Sequence, residues 1–119
     1  SRFIRFWIFE KNNDNRIIGC ICFQNIQKGS IMACTVGYKI DEASTNQGYA
    51  TEALEKCIDI VFNELHFHRI EALIHPLNED SIQLIERVNF EFEGIAKSCI
   101  KLNGRWMDHL RYAKINPNN

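Results

Sequence analysis

The chain has 119 residues, of which 45% are hydrophobic and 24% charged, the balance of a globular protein with one sizeable core. Fourteen basic and fifteen acidic residues give a net charge of −1 without a block of like charge, which argues against non-specific binding to nucleic acid or an anionic membrane. The sequence contains no apolar run long enough to cross a bilayer and no signal-peptide pattern.

The first third of the chain reads as three strands joined by polar turns. Residues 3–9, 17–26 and 31–40 are rich in aromatic and β-branched side chains. The turn clusters between them, residues 11–15 and 27–30, contain residue types that tolerate left-handed backbone or bond to it locally. Short turns of this kind predict an antiparallel meander.

A helix after Gly48 has the clearest pattern in the sequence. Its apolar residues, from Ala50 to Leu65, recur at the i, i+3, i+4 spacing of one buried face. The next apolar stretch, residues 69–75, reads as a strand and ends at Pro76. A strand, a helix and a strand in this order predict a crossover in which the two strands run parallel.

The last third begins with a second helix over residues 78–88. Asn78 is a good N-cap, and Asn89 stands where a left-handed residue ends a helix.

Two final strands, residues 92–102 and 106–113, surround Asn103-Gly104, the strongest short hairpin signal in the chain. The predicted order is therefore β-β-β-α-β-α-β-β around a central mixed sheet, an α+β or mixed α/β domain.

Five cysteines lie in apolar or alternating segments and form no C-x-x-C pair. Reduced thiols in a cytoplasmic protein are the economical interpretation. Zinc binding by these cysteines and the four histidines is not expected, because no chelating spacing repeats.

Four segments match one set of motifs in chain order: a central strand TVGYKID, a loop and helix TNQGYATEAL, a strand, helix and turn HRIEALIHPLNEDSIQLIERVNFEFEG, and a hairpin IKLNGRWMDHLRYA. Together they resemble the GNAT superfamily of N-acetyltransferases, specifically the RimJ/RimL-type branch that acetylates protein N-terminal amines. The resemblance implies the GNAT-like acyl-CoA N-acyltransferase fold and one acetyltransferase domain over residues 1–119. It also implies that the strand and helices that normally open this fold are missing here.

The activity that the resemblance implies is transfer of an acetyl group from acetyl-CoA to a primary amine, with a protein N-terminal amine as the first choice of acceptor. A small-molecule amine is the alternative acceptor, and a non-catalytic CoA-binding or interaction module is the alternative function. The chain departs from the family pattern at Thr45, where the loop usually begins with Arg or Gln, and at Thr35, where an acidic residue is frequent. The protein is not expected to bind a metal, nucleic acid or a membrane. A monomer and a homodimer both fit the sequence.

The strand, polar loop, glycine and helix of residues 36–65 make a local pattern suited to anions. A helix N-terminus carries unpaired backbone N–H groups and a partial positive charge, and a glycine lets a ligand approach the backbone. On its own, the pattern is also that of an ordinary helix start. The resemblance implies that the acetyl-CoA pyrophosphate binds the backbone of Thr45, Asn46, Gln47, Gly48, Tyr49 and Ala50.

Three further positions are cofactor contacts by resemblance. Tyr38 and Ile40 lie on the central strand, where their side chains are expected in the sheet core. Their backbones are expected to pair with the pantetheine arm of the cofactor as an added strand would. Asn78 is expected to cap its helix and to contact the cofactor near the pantetheine.

The resemblance places Ser81 near the thioester sulfur, where it could protonate the departing thiolate directly or through water. The plainer interpretation is a polar residue near a helix start. As bases, Glu71 and His75 lie four residues apart on one face of the predicted strand, and imidazoles commonly titrate near neutral pH. Surface or capping roles for both residues, and proton removal by water, stay open, whereas Thr35 cannot serve as a base.

Overall fold

The structure, a computed structural model, describes residues 3–10, 13–40 and 48–119. Within these residues six strands and two α-helices follow one another in the predicted order. They are β1 Ile4–Glu10, β2 Asn13–Gln27, β3 Ala33–Ile40, α1 Tyr49–Asp59, β4 Arg69–Ile74, α2 Glu79–Arg87, β5 Glu91–Leu102 and β6 Arg105–Ile115. The predicted α+β class is therefore confirmed.

All six strands of the described residues belong to one mixed sheet, with the order β1-β2-β3-β4-β6-β5. The first three strands form the predicted antiparallel meander, and β4 lies parallel to β3. Asn103 and Gly104 turn the chain with φ values of 51° and 79°, the left-handed pair that a two-residue hairpin requires. This hairpin inserts β6 between β4 and β5, so β6 is the antiparallel neighbour of β4.

Both helices pack against the same face of the sheet. In β4, Ile70, Ala72 and Ile74 are buried while the residues between them are half-buried, so alternate side chains point to the helices. We call this side the helix face and the other side the opposite face. The helix residues in the core are Ala50, Leu54, Cys57, Ile58, Val61, Phe62, Leu84, Ile85 and Val88. Burying one such Leu or Ile side chain contributes roughly 1.5–3 kcal/mol, so this layer holds the sheet and helices in register.

The first helix changes its winding before it ends. After Asp59 the chain continues as a π-helical segment, Ile60–Glu64, and the Leu65 N–H donates to the Ile60 carbonyl oxygen at 3.1 Å. The wider turn of a π-helix shifts the phase of the side chains that follow. Leu65, expected on the buried face from its spacing, is 41% exposed for this reason.

Among the described residues, no helix is both long enough and apolar enough to span a bilayer.

Candidate active site

The central parallel strands separate part-way along their length. Strand β3 pairs with β4 at three positions, the last of which joins Thr35 and Glu71. Both strands then continue, each paired on its far side with β2 or β6. Within the described chain, the facing edges of residues 36–40 and 72–74 form no ladder with each other. We call this gap the interstrand opening, and its backbone N–H and C=O groups can bind an extended ligand.

A cavity of about 260 Å³ lies in the interstrand opening. It is lined by Val36, Gly37, Tyr38, Ala72, Leu73, Ile74, His75, Asn78, Ser81 and His109. Residues of β3 and β4 therefore form two of its walls, and residues from the start of α2 and from β6 complete it.

The start of α2 fixes the position of Ser81. Asn78 is the N-cap, as predicted, and its Oδ1 accepts a hydrogen bond from the Ser81 N–H at 3.2 Å. The Tyr38 hydroxyl donates to the Ser81 carbonyl oxygen at 3.2 Å and so ties β3 to α2. Both bonds use the backbone of Ser81, which is one of the residues that line the cavity.

Tyr38 and Ile40 have their side chains on the helix face, packed against the core, as the sequence predicts. Burial raises the pKa of Tyr38, an effect that its hydrogen bond to Ser81 partly offsets. The Tyr38 hydroxyl therefore stays protonated at neutral pH and keeps its donor role.

Two histidines meet at the end of the opening. The rings of His75 and His109 are 5.6 Å apart and nearly perpendicular, at 84°. The Leu77 N–H donates to His75 Nδ1 at 3.1 Å, and His109 Nδ1 lies 3.2 Å from the Met107 carbonyl oxygen. His109 is buried, with 4% of its surface exposed.

His109 is the histidine of the cavity that sequence reasoning missed. Its partner His75 follows β4, and the pairing of Ile74 with Leu110 shows why the two histidines become neighbours. That pairing depends on β6 lying between β4 and β5. The Asn103-Gly104 signal predicts the hairpin but not its place in the sheet, so no local pattern marks His109.

Glu71 lies apart from the other predicted catalytic residues. Its neighbours in the strand, Ile70 and Ala72, are buried on the helix face, so Glu71 points to the opposite face. Its carboxylate accepts a hydrogen bond from Arg69 Nε at 2.9 Å, and Arg69 also binds Glu93. The structure thus brings His75 and Ser81 to one cavity and leaves Glu71 in an ion-pair cluster. The catalytic roles of all three stay predictions.

The N-terminus of α1 lies at the end of the segment that follows β3. Gly48 is its N-cap in the left-handed conformation, φ 77°, and as a glycine it has no side chain that could cap the first-turn N–H groups, the groups that attract anions at a helix start. Tyr49 and Ala50 begin the helix, whereas Thr45, Asn46 and Gln47 lie outside the described residues.

A cation also lies at this helix start. Arg87, in the last turn of α2, donates from Nη1 to Thr51 Oγ1 at 3.3 Å. Its guanidinium therefore lies beside the first turn of α1, where the sequence did not predict a positive charge.

These features fit acetyl-CoA: the interstrand opening suits the extended pantetheine arm, and the start of α1 suits the phosphates. No group of three or more His, Cys, Asp or Glu residues within the described ranges is arranged to hold a metal ion.

A mixed sheet whose central parallel strands separate beside a helix N-terminus defines the class of the acyl-CoA-dependent acyltransferases. The family profile described as "Acetyltransferase (GNAT) domain" matches residues 1–91. The chain belongs to the GNAT acetyltransferase family.

Two curated relatives and one solved structure illustrate the similarity. The chain is 39% identical to "Probable N-acetyltransferase YjcK" of Bacillus subtilis over 94% of its own length and 61% of that protein. It is 37% identical to the "[Ribosomal protein uS5]-alanine N-acetyltransferase" of Escherichia coli over 94% of its length and 57% of that protein. Mycobacterium smegmatis RimJ in complex with CoA-disulfide superposes with a TM-score of 0.87 at 32% identity, covering 96% of this chain and 53% of RimJ. The chain thus spans about three fifths of the length of these curated relatives.

Proposed function

We propose that the protein transfers the acetyl group of acetyl-CoA to a primary amine, and that this amine is the N-terminus of a protein. The separation of β3 from β4 beyond Thr35 and Glu71 carries the proposal, because it opens a backbone-lined cavity with Ser81 at its wall. The RimJ structure, whose ligand is a CoA disulfide, and the uS5-alanine acetyltransferase relative support the cofactor and the acceptor respectively.

The chain would hold acetyl-CoA at two places. The edge of β3 from Val36 to Ile40 pairs with the pantetheine arm, and Asn78 lies beside it at the start of α2. The backbone N–H groups of Tyr49 and Ala50 bind the pyrophosphate, and the proposal assigns the same role to Thr45, Asn46 and Gln47. Binding both substrates in one cavity supplies the proximity that the reaction needs.

Acetyl-CoA supplies an activated thioester, and the amine attacks its carbonyl carbon directly. A backbone N–H between Val36 and Tyr38 donates to the carbonyl oxygen as that oxygen gains negative charge. Ser81 gives a proton, directly or through water, to the thiolate that leaves. A carbon–nitrogen bond forms, the carbon–sulfur bond breaks, and no metal takes part. Because its five cysteines are free, the same proposal assigns the protein to the reducing cytoplasm.

A non-catalytic CoA-binding module is the second candidate. Thr35 stands where the family frequently has an acid, and the carboxylate of its cross-strand partner Glu71 is engaged by Arg69. A chain of this kind would bind CoA in the interstrand opening without transferring an acetyl group.

One assay separates the candidates. The protein is mixed with acetyl-CoA and an acceptor panel of alanine-initiated peptides, spermidine and an amino sugar, and products are identified by mass spectrometry. Mass detection is preferred to a thiol reagent, because the protein has five free cysteines of its own.

We expect one acetyl group on the α-amine of a peptide. Acetylation of the small amines alone would show that the acceptor is a small-molecule amine and not a protein N-terminus. Tight binding of acetyl-CoA without any product would favour the module, and absence of binding would contradict both candidates.

A further inference from the structure

We propose that His109 is the catalytic residue that accepts the proton from the attacking amine. This role rests on the proposed acetyl transfer and assigns its missing base to a residue of β6. Three observations carry it: the position of His109 in the cavity, its hydrogen bond to Met107, and the different hydrogen bond made by His75.

The partner of His109 fixes its tautomer. A carbonyl oxygen can only accept, so the nitrogen 3.2 Å from the Met107 carbonyl, Nδ1, carries the proton. Nε2 of neutral His109 therefore holds a lone pair and can take a second proton. When it does, the Nδ1–H bond to Met107 is kept, so the charged form loses no hydrogen bond.

His75 has the opposite arrangement. The Leu77 N–H donates to its Nδ1, so neutral His75 carries its proton on Nε2 and presents a donor there. Taking up a proton at Nδ1 would set two N–H groups against each other and break this bond. The hydrogen bond from Leu77 therefore opposes protonation of His75, whereas the hydrogen bond from His109 to Met107 does not oppose protonation of His109.

Glu71 is also the weaker candidate. Its carboxylate accepts a charge-assisted hydrogen bond from Arg69, and Glu71 is not among the residues that line the cavity. To act as the base it would have to leave that ion pair. His109 already lines the cavity that contains Ser81.

The proton balance is complete. As the amine nitrogen bonds to the acetyl carbon, one N–H proton passes to His109 Nε2, directly or through a water. The thiolate leaves as the carbon–sulfur bond breaks and takes a proton from the Ser81 hydroxyl or from water. His109 then releases its proton to solvent, the Ser81 hydroxyl or the donating water regains one from solvent, and the net products are an amide and a thiol.

A matched pair of asparagine variants tests this role. In His109→Asn the amide nitrogen can replace Nδ1 and still donate to Met107, but no group replaces Nε2. In His75→Asn the amide oxygen can replace Nδ1 and still accept from Leu77. Each variant therefore keeps the local hydrogen bond and loses only the Nε2 end of its ring.

We expect His109→Asn to lower kcat by roughly 10²–10⁴-fold, the usual contribution of a general base. His75→Asn should lose less than about tenfold, and both should keep the acetyl-CoA Kd within about twofold of the wild type. Added imidazole should restore a saturable part of the activity of His109→Ala, which a merely structural histidine would not allow. Circular dichroism and thermal melting check that each variant is folded.

A kcat of His109→Asn close to that of the wild type would overturn the proposal. A folded His109→Ala that is inactive and unaffected by imidazole would also overturn it. If the wild-type protein acetylates no amine, the proposed function itself is wrong. This outcome is distinguishable from failure of the His109 role, because it is measured on the wild-type protein before any variant is made.

Discussion

Ser81 shows how much of the site depends on single hydrogen bonds. Its N–H is held by Asn78 and its carbonyl oxygen by Tyr38, so two neighbours position its backbone at the edge of the cavity. Under the proposed function, the hydroxyl of this residue is the proton donor to the leaving thiolate.

Ser81→Ala should lower kcat by roughly tenfold or more with little change in acetyl-CoA affinity, because the hydroxyl acts in the chemical step. The measurement is steady-state acetylation of a peptide together with calorimetry of acetyl-CoA. An unchanged kcat would remove Ser81 from the chemistry.

Tyr38→Phe should lower the free energy of unfolding by about 0.5–1.5 kcal/mol and should also reduce kcat, because the Ser81 backbone loses a tether. Tyr112→Phe is the matched control, since the Tyr112 hydroxyl likewise joins a strand to α2, through Glu86 at 2.8 Å. Urea unfolding should report a loss in both variants, and peptide acetylation should report a loss only in Tyr38→Phe. Equal effects on kcat would argue against a specific tether.

Sequence patterns predict structure well where a residue interacts with its near neighbours in the chain. The N-cap at Asn78 and the left-handed Asn89, with φ 69°, follow from chemistry within a few residues and are confirmed. His109 could not be found in the same way, because its neighbour His75 is distant in the sequence and meets it only after β6 joins β4.

At the scale of elements, the start of α1 is the part of the proposed site whose backbone conformation depends most directly on one residue, Gly48. Gly48 occupies a left-handed conformation with φ 77°, and a Cβ added there would meet no atom of the described residues within 4 Å. A short polar residue can therefore be introduced without a clash, at the cost of some backbone strain.

Gly48→Asp should abolish measurable acetyl-CoA binding while the protein stays folded, since its carboxylate would compete with the phosphates for the helix N-terminus. Gly29→Asp is a close control, because Gly29 also has a left-handed φ of 74° and open space where a Cβ would stand. Calorimetry with acetyl-CoA should distinguish the two variants. Unchanged affinity in Gly48→Asp would mean that the phosphates bind elsewhere.

The order of elements follows from the sequence, but two of their details do not. The hairpin signal at Asn103-Gly104 pairs β5 with β6 without saying which of them joins β4. The π-helical end of the first helix depends on how residues 60–64 pack, and helical periodicity alone places Leu65 in the core. Both details are set by tertiary packing, which local patterns do not contain.

At the scale of the whole molecule, the buried thiols link stability to pH. Burial raises the pKa of Cys34 to about 12 and of Cys57 to about 11, from a usual value near 9. A thiol with a raised folded-state pKa contributes stability that is complete below the unfolded pKa and is lost as the pH rises toward the folded pKa.

The free energy of unfolding should therefore fall by roughly 1.4 kcal/mol per pH unit for each thiol, from about pH 9 upward. Urea unfolding between about pH 8 and pH 11 measures the slope, and Cys34→Ala should reduce it by roughly 1.4 kcal/mol per pH unit, the contribution of one thiol. An identical slope in Cys34→Ala would contradict the account.

The central claim is that the interstrand opening binds acetyl-CoA along the edge of β3. Hydrogen–deuterium exchange with and without CoA tests it most directly, because an added strand of ligand protects the amides with which it pairs. We expect CoA to slow exchange in residues 36–40 and at the start of α1, with little change in β1. Protection that is confined to other segments, with residues 36–40 unchanged at saturating CoA, would contradict the claim.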